Sequence, residues 1–231
     1  MKKSFLAFLL IAATPLCTFA ASDRVDLNER LEKATLVIEE IMKTPDRDIP
    51  DSVMRNAMCV AVIPRMKKGA FVVGAQYGQG VVTCRTHMGW SAPVFIRAAG
   101  GSYGFQIGGQ ATDVVLVAVN EKGMQDLLKD KFKIGADASA TAGPVGRDAQ
   151  ASTDIKLGAE LLTYSRSKGL FAGIDLDGTS ISQNREDTEV FYGGSYSFEH
   201  ILHGGVPPPS GSMHFLHAIA RYSHSSHEKE D

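Results

Sequence analysis

The sequence contains few cysteines and tryptophans, no excess of basic residues and none of the common cofactor-binding motifs. Each of these features excludes a class of function. Its 231 residues include three cysteines and one tryptophan, and 24 basic residues are set against 26 acidic ones. A chain without a basic excess is a poor candidate for binding nucleic acid, because the phosphate backbone selects a positively charged surface. No Walker loop, Rossmann fingerprint or Cys-x-x-Cys pair occurs. The sequence therefore predicts no nucleic-acid partner and no cofactor.

The longest apolar run lies at the N-terminus and is too short to cross a bilayer as a helix. It extends from Phe5 to Leu16, about 12 residues against the roughly 20 that a spanning helix needs. Two lysines precede it, and small residues around Ala20 suit a signal peptidase. The pattern predicts a signal peptide over residues 1–20, cleaved near Ala20, and a periplasmic or secreted protein.

Cleavage of this signal peptide removes Cys17 and leaves two cysteines. Cys59 and Cys84 both fall in predicted strands. A disulfide requires Cα atoms within about 7 Å, which neighbouring strands can provide, and an oxidising compartment preserves the bond. Two buried free thiols are the alternative. We predict a disulfide between Cys59 and Cys84.

Apolar residues three and four positions apart predict an amphipathic helix over Asp26–Lys43. Pro45 ends the pattern, because proline cannot continue the helical hydrogen-bond ladder. A short second helix is predicted over Asp51–Ala57. The segment Asp23–Lys43 contains six acidic and four basic residues, so it is a poor partner for an anionic bilayer. We therefore expect this helix to pack on the rest of the fold.

Between residues 58 and 120 the pattern changes to β-branched and aromatic runs separated by glycines and polar residues. Pro64 and Gly69 predict a turn after the first run. Such closely spaced strands predict an antiparallel meander that curls on itself. The predicted strands are Cys59–Ile63, Ala70–Gln76, Val81–Arg85, Pro93–Ala98, Ser102–Gln110 and Val114–Asn120.

The last hundred residues mix helical and strand patterns. Asp177 and Gly178 predict a hairpin turn, since both residues tolerate positive φ. The predicted fold class is α+β: a curled antiparallel β-sheet or barrel-like core with an N-terminal amphipathic helix and C-terminal helices, in one domain over 21–222 with a disordered tail over 223–231. The predicted helices are Glu121–Lys129, Glu186–Tyr192, Ser197–Leu202 and Ser212–Tyr222, and the predicted strands are Leu161–Ser165, Leu170–Asp175 and Thr179–Ser182.

One short motif resembles that of a serine hydrolase. Gly100–Gly104 matches the pattern G-x-S-x-G around Ser102. A nucleophile elbow needs a strand before the serine and a helix after it, whereas a second strand is predicted here. No histidine and acid can be assigned to complete a triad. We therefore predict that the protein is not an enzyme.

Two further patterns resemble metal sites. The first is the calcium-binding loop of an EF-hand, over residues 175–186. Ser180 occupies the position where that loop requires glycine, and strands rather than helices are predicted on either side of it. Six histidines cluster near the C-terminus, where surface helices and a solvated tail explain them as well as a metal site does. We predict no metal site. The residues at matching calcium-loop positions are Asp175, Asp177, Thr179 and Glu186.

Two groups of basic residues adjoin apolar strand residues, and both are candidate lipid contacts. In the second group the lysines alternate with Phe132 and Ile134, so the charges share one side and the apolar residues the other. Near an anionic membrane each basic side chain contributes about 1 kcal/mol. An ordinary solvated face is the alternative. The groups are Arg65, Lys67 and Lys68, in the predicted turn, and Lys129, Lys131 and Lys133, at the end of a predicted helix.

Several blocks of this chain together resemble the SYLF domain family. They occur in the family's order over about residues 30–205, and as a set they are highly specific, although no single block is. The blocks are Cys59–Pro64, Lys68–Gly74, Trp90–Pro93, Gly108–Asp113, Lys131–Ser139, Ala142–Gly146 and Tyr164–Gly173.

The resemblance implies lipid binding. Eukaryotic members of the family bind phosphoinositides and some bind actin, whereas bacterial members are exported and often carry only this domain. The acidic N-terminal helix departs from the basic helix of the eukaryotic members and argues against phosphoinositide specificity. A periplasmic location argues against actin. The basic residues at matching positions are Lys68, Lys131, Lys133, Arg166 and Lys168.

We therefore expect non-catalytic binding of anionic phospholipid, or of a related amphiphile, in the bacterial cell envelope. The membrane surface is the expected partner, and the sequence identifies no protein partner. One alternative is a periplasmic protein-interaction or structural module that uses the glycine-rich hairpins and Pro207–Pro209. A second alternative is a serine hydrolase at Ser102.

Overall fold

A ten-stranded sheet with helices on both faces forms the core of the protein. This computed structural model describes residues 23–44, 49–70, 73–103, 108–145, 159–167, 170–172 and 176–224. The predicted signal peptide, residues 225–231 of the predicted tail, Lys168 and Asp175 lie outside the described residues.

Helix α1 spans Arg24–Met42 and packs on the sheet, as expected. It begins at Asp23, whose side chain accepts a hydrogen bond from the N–H of Asp26 and so satisfies one of the first free donors of the helix. Leu27, Leu31 and Ile38 on its apolar face are buried. Helix α2 follows at Asp51–Asn56.

Within the described residues, four more α-helices follow, close to their predicted positions. Asn120, Asn184 and Ser197 cap the first three through their side chains. The prediction that the disordered tail begins at residue 223 is wrong, because the last helix includes Ser223 and His224. Trp90 Nε1 donates to Ser223 Oγ at 3.0 Å and so connects this end of the helix to the sheet. The helices are α3 Glu121–Leu128, α4 Arg185–Tyr192, α5 Phe198–Leu202 and α6 Met213–His224.

The strand order is β6-β10-β4-β2-β1-β5-β8-β7, with β3 paired to β2 and β9 paired to β8. The curled, mainly antiparallel sheet of an α+β fold is confirmed. The strands are β1 Cys59–Ala70, β2 Val73–Thr86, β3 Gly89–Trp90, β4 Val94–Tyr103, β5 Gly108–Ala118, β6 Lys131–Lys133, β7 Ala140–Ala142, β8 Leu161–Ser167, β9 Leu170–Ala172 and β10 Thr179–Gln183.

The expected simple meander is wrong, because β5 returns to pair with β1 rather than with β4. The order β5-β1-β2-β4 is that of a Greek key. This pairing places the apolar runs Cys59–Ile63 and Val114–Ala118 side by side in the middle of the sheet. Continuous apolar runs are stable there because both faces of the sheet are covered.

Each face of the sheet has its own core. Val60, Val62 and Val115 point to the face that α1, α2 and α6 cover, which we call the α1 face. Ile63 and Leu116 point to the other face, which α3 and α5 cover and which we call the opposite face. Successive residues of a central strand therefore belong to different cores, and the strand is buried on both faces.

The turn predicted at Pro64–Gly69 is wrong, since β1 continues to Ala70 and β2 begins only at Val73. The register of β1 against β5 shifts between Ile63 and Met66, which marks a β-bulge. A bulge accepts Pro64 because the residues within it need not donate to the ladder. The basic residues of this segment therefore lie on a strand.

The turn at Asp177 and Gly178 exists, but it does not form the predicted hairpin. Strand β9 pairs with β8, whereas β10 pairs with β4 and β6. Gly178 has φ +82°, and its N–H donates to the carbonyl of Ile134. The turn therefore leads into β10, which lies near the opposite edge of the sheet from β8 and β9.

The predicted disulfide is present. Cys59 and Cys84 face each other across β1 and β2, and their sulfur atoms are bonded. Both side chains are fully buried on the opposite face.

Candidate functional site

The helices leave one part of the α1 face open. The strand register places Lys133, Ser180, Ala99, Tyr77 and Lys67 in a single row across β6, β10, β4, β2 and β1. Directly paired residues of neighbouring strands point to the same face. The two lysines at the ends of the row therefore share a face, about 19 Å apart along the sheet.

The cores show which face this is. Phe132 and Ile181, the neighbours of Lys133 and Ser180 along their strands, are buried on the opposite face. Successive strand residues alternate between faces. The row that contains Lys133 therefore lies on the α1 face.

Most side chains of this open area are small and exposed. Tyr77 is 47% exposed and is the large side chain among them. The neighbouring residues are small, and the two lysines form no ion pair with any residue that the structure describes. We call this area the open platform; it consists of Lys67, Gly69, Ala75, Tyr77, Ala99, Gly101, Ala111 and Lys133.

A second row on the same face adds further positive charge. It contains Lys131, Ser182, Arg97 and Gln79. Arg97 Nη2 lies 3.5 Å from Glu186 Oε2 at a partly exposed position. Arg97 was not predicted as a site residue because it stands alone in an apolar strand, although strand alternation with Phe95 could have placed it on this face.

Arg65 occupies the bulge of β1 and is tied to β5. Its backbone has φ 50°, and its N–H donates to Asp113 Oδ1 at 2.8 Å. Burial raises the pKa of Asp113, an effect that the hydrogen bond from Arg65 opposes. The exposed side chain of Arg65 adjoins the open platform.

Arg166 is held in an ion-pair network instead of lying open on the surface. Its Nη2 lies 2.8 Å from Asp113 Oδ2, and its Nη1 pairs with Glu40 of helix α1. Burial lowers the pKa of the Arg166 guanidinium. The residue therefore links β8, β5 and α1.

The other predicted contacts do not join the open platform. Lys68 pairs with Gln76 across the hairpin and points to the opposite face. Lys129 Nζ lies 2.5 Å from Asp126 Oδ1. The structure thus brings Arg65, Lys67, Lys131 and Lys133 to one face and separates Lys68 and Lys129 from them.

The sequence motifs that resemble a nucleophile elbow and an EF-hand do not lie in the secondary structure that those motifs require. Ser102 lies within β4, and the next described element is β5 rather than a helix. Thr179 and Ser180 belong to strand β10. In the part of the chain that the structure describes, no group of three or more His, Cys, Asp or Glu residues is arranged to hold a metal ion. None of the described helices has the length and apolar character needed to cross a membrane.

The open platform and the second row together place Lys67, Lys131, Lys133 and Arg97 on the α1 face. A family model described as Ysc84, Las17-binding protein actin regulator, matches residues 99–222. The chain belongs to this family, whose domain is the SYLF domain.

Three relatives illustrate the similarity. Protein YSC84 of Saccharomyces cerevisiae is 31% identical over 216 residues, which are 89% of this chain and 46% of the relative. LAS seventeen-binding protein 3 of the same species is 33% identical over 192 residues, 79% of this chain and 42% of the relative. Human SH3 domain-containing YSC84-like protein 1 is 31% identical over 192 residues, which are 80% of this chain and 56% of the relative.

This chain spans about half the length of these curated relatives. The family description and the name of LAS seventeen-binding protein 3 refer to binding and to actin regulation, not to a reaction. The family is therefore one of binding and regulatory domains.

Proposed function

We propose that this protein binds anionic phospholipid, or a related amphiphile, without catalysis. The proposal places it in the periplasm or outside the cell after removal of a signal peptide near Ala20. The open platform carries the proposal, since it presents Lys67 and Lys133 on one face with exposed Tyr77, beside Lys131.

The chemistry of this face suits an anionic interface. Each lysine near such a surface contributes about 1 kcal/mol. Tyrosine favours the boundary between water and lipid because its ring is apolar and its hydroxyl is polar. The small residues Ala99, Gly101 and Ala111 allow headgroups to approach the sheet closely.

Helix α1 does not offer the membrane contact in this proposal. Its apolar side chains, including Leu27, Leu31 and Ile38, are already buried against the sheet. Inserting them into lipid would require unpacking that core. The sheet face itself is the surface available for binding.

Vesicle flotation tests the proposal. We expect the protein to float with phosphatidylcholine vesicles that contain phosphatidylglycerol and not with phosphatidylcholine alone, and added salt should weaken the association. In Lys131→Glu/Lys133→Glu the affinity should fall roughly tenfold or more, because two attractions become repulsions.

A matched control changes the charge equally elsewhere. Arg55→Glu/Arg221→Glu alters exposed residues of α2 and α6, near the end of the sheet where β1 begins, and should bind like the wild type. Equal losses in both variants, or none in Lys131→Glu/Lys133→Glu, would remove these lysines from the proposal. Failure of the wild type to bind any anionic vesicle would reject lipid binding.

The second candidate function is binding of a protein partner. The family description favours it, because it names a protein that relatives bind. Native mass spectrometry of the purified protein separates the two candidates: a stoichiometric protein without lipid supports the second, and bound phospholipid supports the first. The proposed location argues against actin, and co-sedimentation with actin filaments tests that expectation.

A further inference from the structure

A cleft of about 530 Å³ lies where helix α1 passes over the bulged part of β1 and the adjoining part of β2. Its helical wall carries the acidic side chains of Asp26 and Glu29, and its sheet wall carries Arg65 and Lys67. Tyr77 also lines it. The helical wall also carries Arg30 and Lys33, so its own charges balance, whereas the sheet wall is positive.

Some of the lining charges are already neutralised. Arg30 Nη1 lies 2.5 Å from Asp187 Oδ2, and Lys33 Nζ lies 2.7 Å from Glu29 Oε1. Asp26 on one wall and Lys67 on the other form no ion pair within the described ranges. A ligand that enters the cleft therefore meets one anion and at least one cation that are available to it.

The backbone at Arg65 supports a binding role for the sheet wall. It is the one residue other than glycine that has positive φ in the described part of the chain. Such a conformation is unfavourable for a side chain with a Cβ and often marks a functional site. Here it keeps the guanidinium exposed beside Lys67 instead of placing it in the regular strand alternation.

We infer that this cleft binds a zwitterionic amino-phosphate group of the phosphoethanolamine type. Arg65 and Lys67 would hold the phosphate through charge-assisted hydrogen bonds, while Asp26 and the ring of Tyr77 would hold the primary ammonium. The inference rests on the proposed function and adds a second contact to it: anionic lipid meets the open platform, and the adjoining cleft takes one zwitterionic headgroup. The same chemistry occurs in free glycerophosphoethanolamine.

Calorimetric titration of the full chain tests the cleft without a membrane. Glycerophosphoethanolamine should bind more tightly than glycerol phosphate or ethanolamine, each of which satisfies one wall only. Lys67→Gln and Asp26→Asn should each weaken it roughly tenfold, because each removes one charged contact. The matched controls Arg221→Gln and Glu121→Gln, on α6 and α3, should leave the affinity unchanged.

Vesicles of equal anionic content, made with either phosphatidylethanolamine or phosphatidylcholine, identify the source of the ligand. A preference for phosphatidylethanolamine that Asp26→Asn abolishes supports a lipid headgroup. Binding of the soluble compound without that preference supports a free ligand. The inference is overturned if glycerophosphoethanolamine fails to bind, or if it binds the Asp26→Asn variant as well as the wild type. If the wild type still binds anionic vesicles in that case, the proposed function stands.

Discussion

The guanidinium of Arg30 donates to the carboxylate of Asp187 at 2.5 Å and so joins helix α1 to helix α4. The two side chains are only 11% and 2% exposed. Arg30 also donates to Gln79 and lies over the ring of Phe95, 5.4 Å from its centroid. Helix α1 is therefore held to α4 by a buried ion pair, and to the sheet by a hydrogen bond and a cation–π contact as well as by its apolar face.

Replacing Arg30 by methionine should lower the free energy of unfolding by about 3 kcal/mol, because it leaves the Asp187 carboxylate buried without its cation. Urea denaturation measures the loss. Lys33→Met, which removes an exposed pair with Glu29, should cost about 0.5 kcal/mol or less. Equal effects of the two substitutions would contradict a special role for the buried pair.

Gly123→Ala should destabilise the protein by about 2 kcal/mol, although alanine is the better helix former. A Cβ at this position of α3 would collide with the backbone oxygen of Glu160. Thermal unfolding measures the change. Gly194→Ala is the control, since a Cβ there makes only an ordinary contact with Tyr196 at 3.5 Å. A stabilised Gly123→Ala variant would show that the backbone at Glu160 can move away at little cost.

The disulfide should contribute about 3.5 kcal/mol to stability, as expected for a sequence separation of 25 residues. The double variant Cys59→Ala/Cys84→Ala removes it, and its unfolding in urea measures the loss. The stability of the wild type should fall under reducing conditions strong enough to open a buried bond, whereas the double variant should not respond. A reductant effect on the double variant would point to another cause.

Tyr164, which is buried, and Tyr192, which is partly buried, should respond oppositely to loss of the hydroxyl. Tyr164 Oη is buried and has no hydrogen-bond partner among the described residues, whereas Tyr192 Oη donates to the carbonyl of Pro93 at 2.7 Å. Tyr164→Phe should stabilise the protein by about 1 kcal/mol, and Tyr192→Phe should destabilise it by about 1 kcal/mol. Chemical denaturation near neutral pH compares them. Destabilisation by Tyr164→Phe would reveal a partner for that hydroxyl.

The same two side chains predict a loss of stability in alkali. Burial raises the pKa of Tyr164 and of Tyr192 above the usual tyrosine range. The unfolded chain releases these protons near pH 10 while the folded chain retains them, so the contribution of the two tyrosines to stability is constant below about pH 10 and is lost as the pH rises further. Unfolding free energies measured from about pH 8 to about pH 11 should show a weaker decline in each phenylalanine variant.

Local sequence patterns predicted the helices well. The three- and four-residue spacing of Leu27, Leu31 and Ile38 gave α1 within two residues of its observed start, and caps such as Asn120 and Ser197 mark helix starts that follow from local chemistry. Alternation also placed Phe132 inward between two exposed lysines.

Strand pairing was harder to predict, because it depends on contacts between distant residues. Pro64 and Gly69 are ordinary turn signals, yet they lie within β1, where pairing with both β2 and β5 stabilises the bulge. Arg166 matched a family pattern, but its ion-pair partner Glu40 lies far from it in the sequence, on α1. Neither the bulge nor this ion pair can be predicted from the residues next to it in the sequence.

By itself, the sequence determined the α+β class, the helices and the family, since periodicity, capping and family motifs can be read along the chain. It left a disulfide and two free thiols both open for Cys59 and Cys84, and the strand register brought the two residues together. Only the tertiary structure decided which cations share a face: the register aligns Lys67 with Lys133 and turns Lys68 away. The physical reason is that a strand's register fixes the face of every side chain, and the packing of distant segments sets that register.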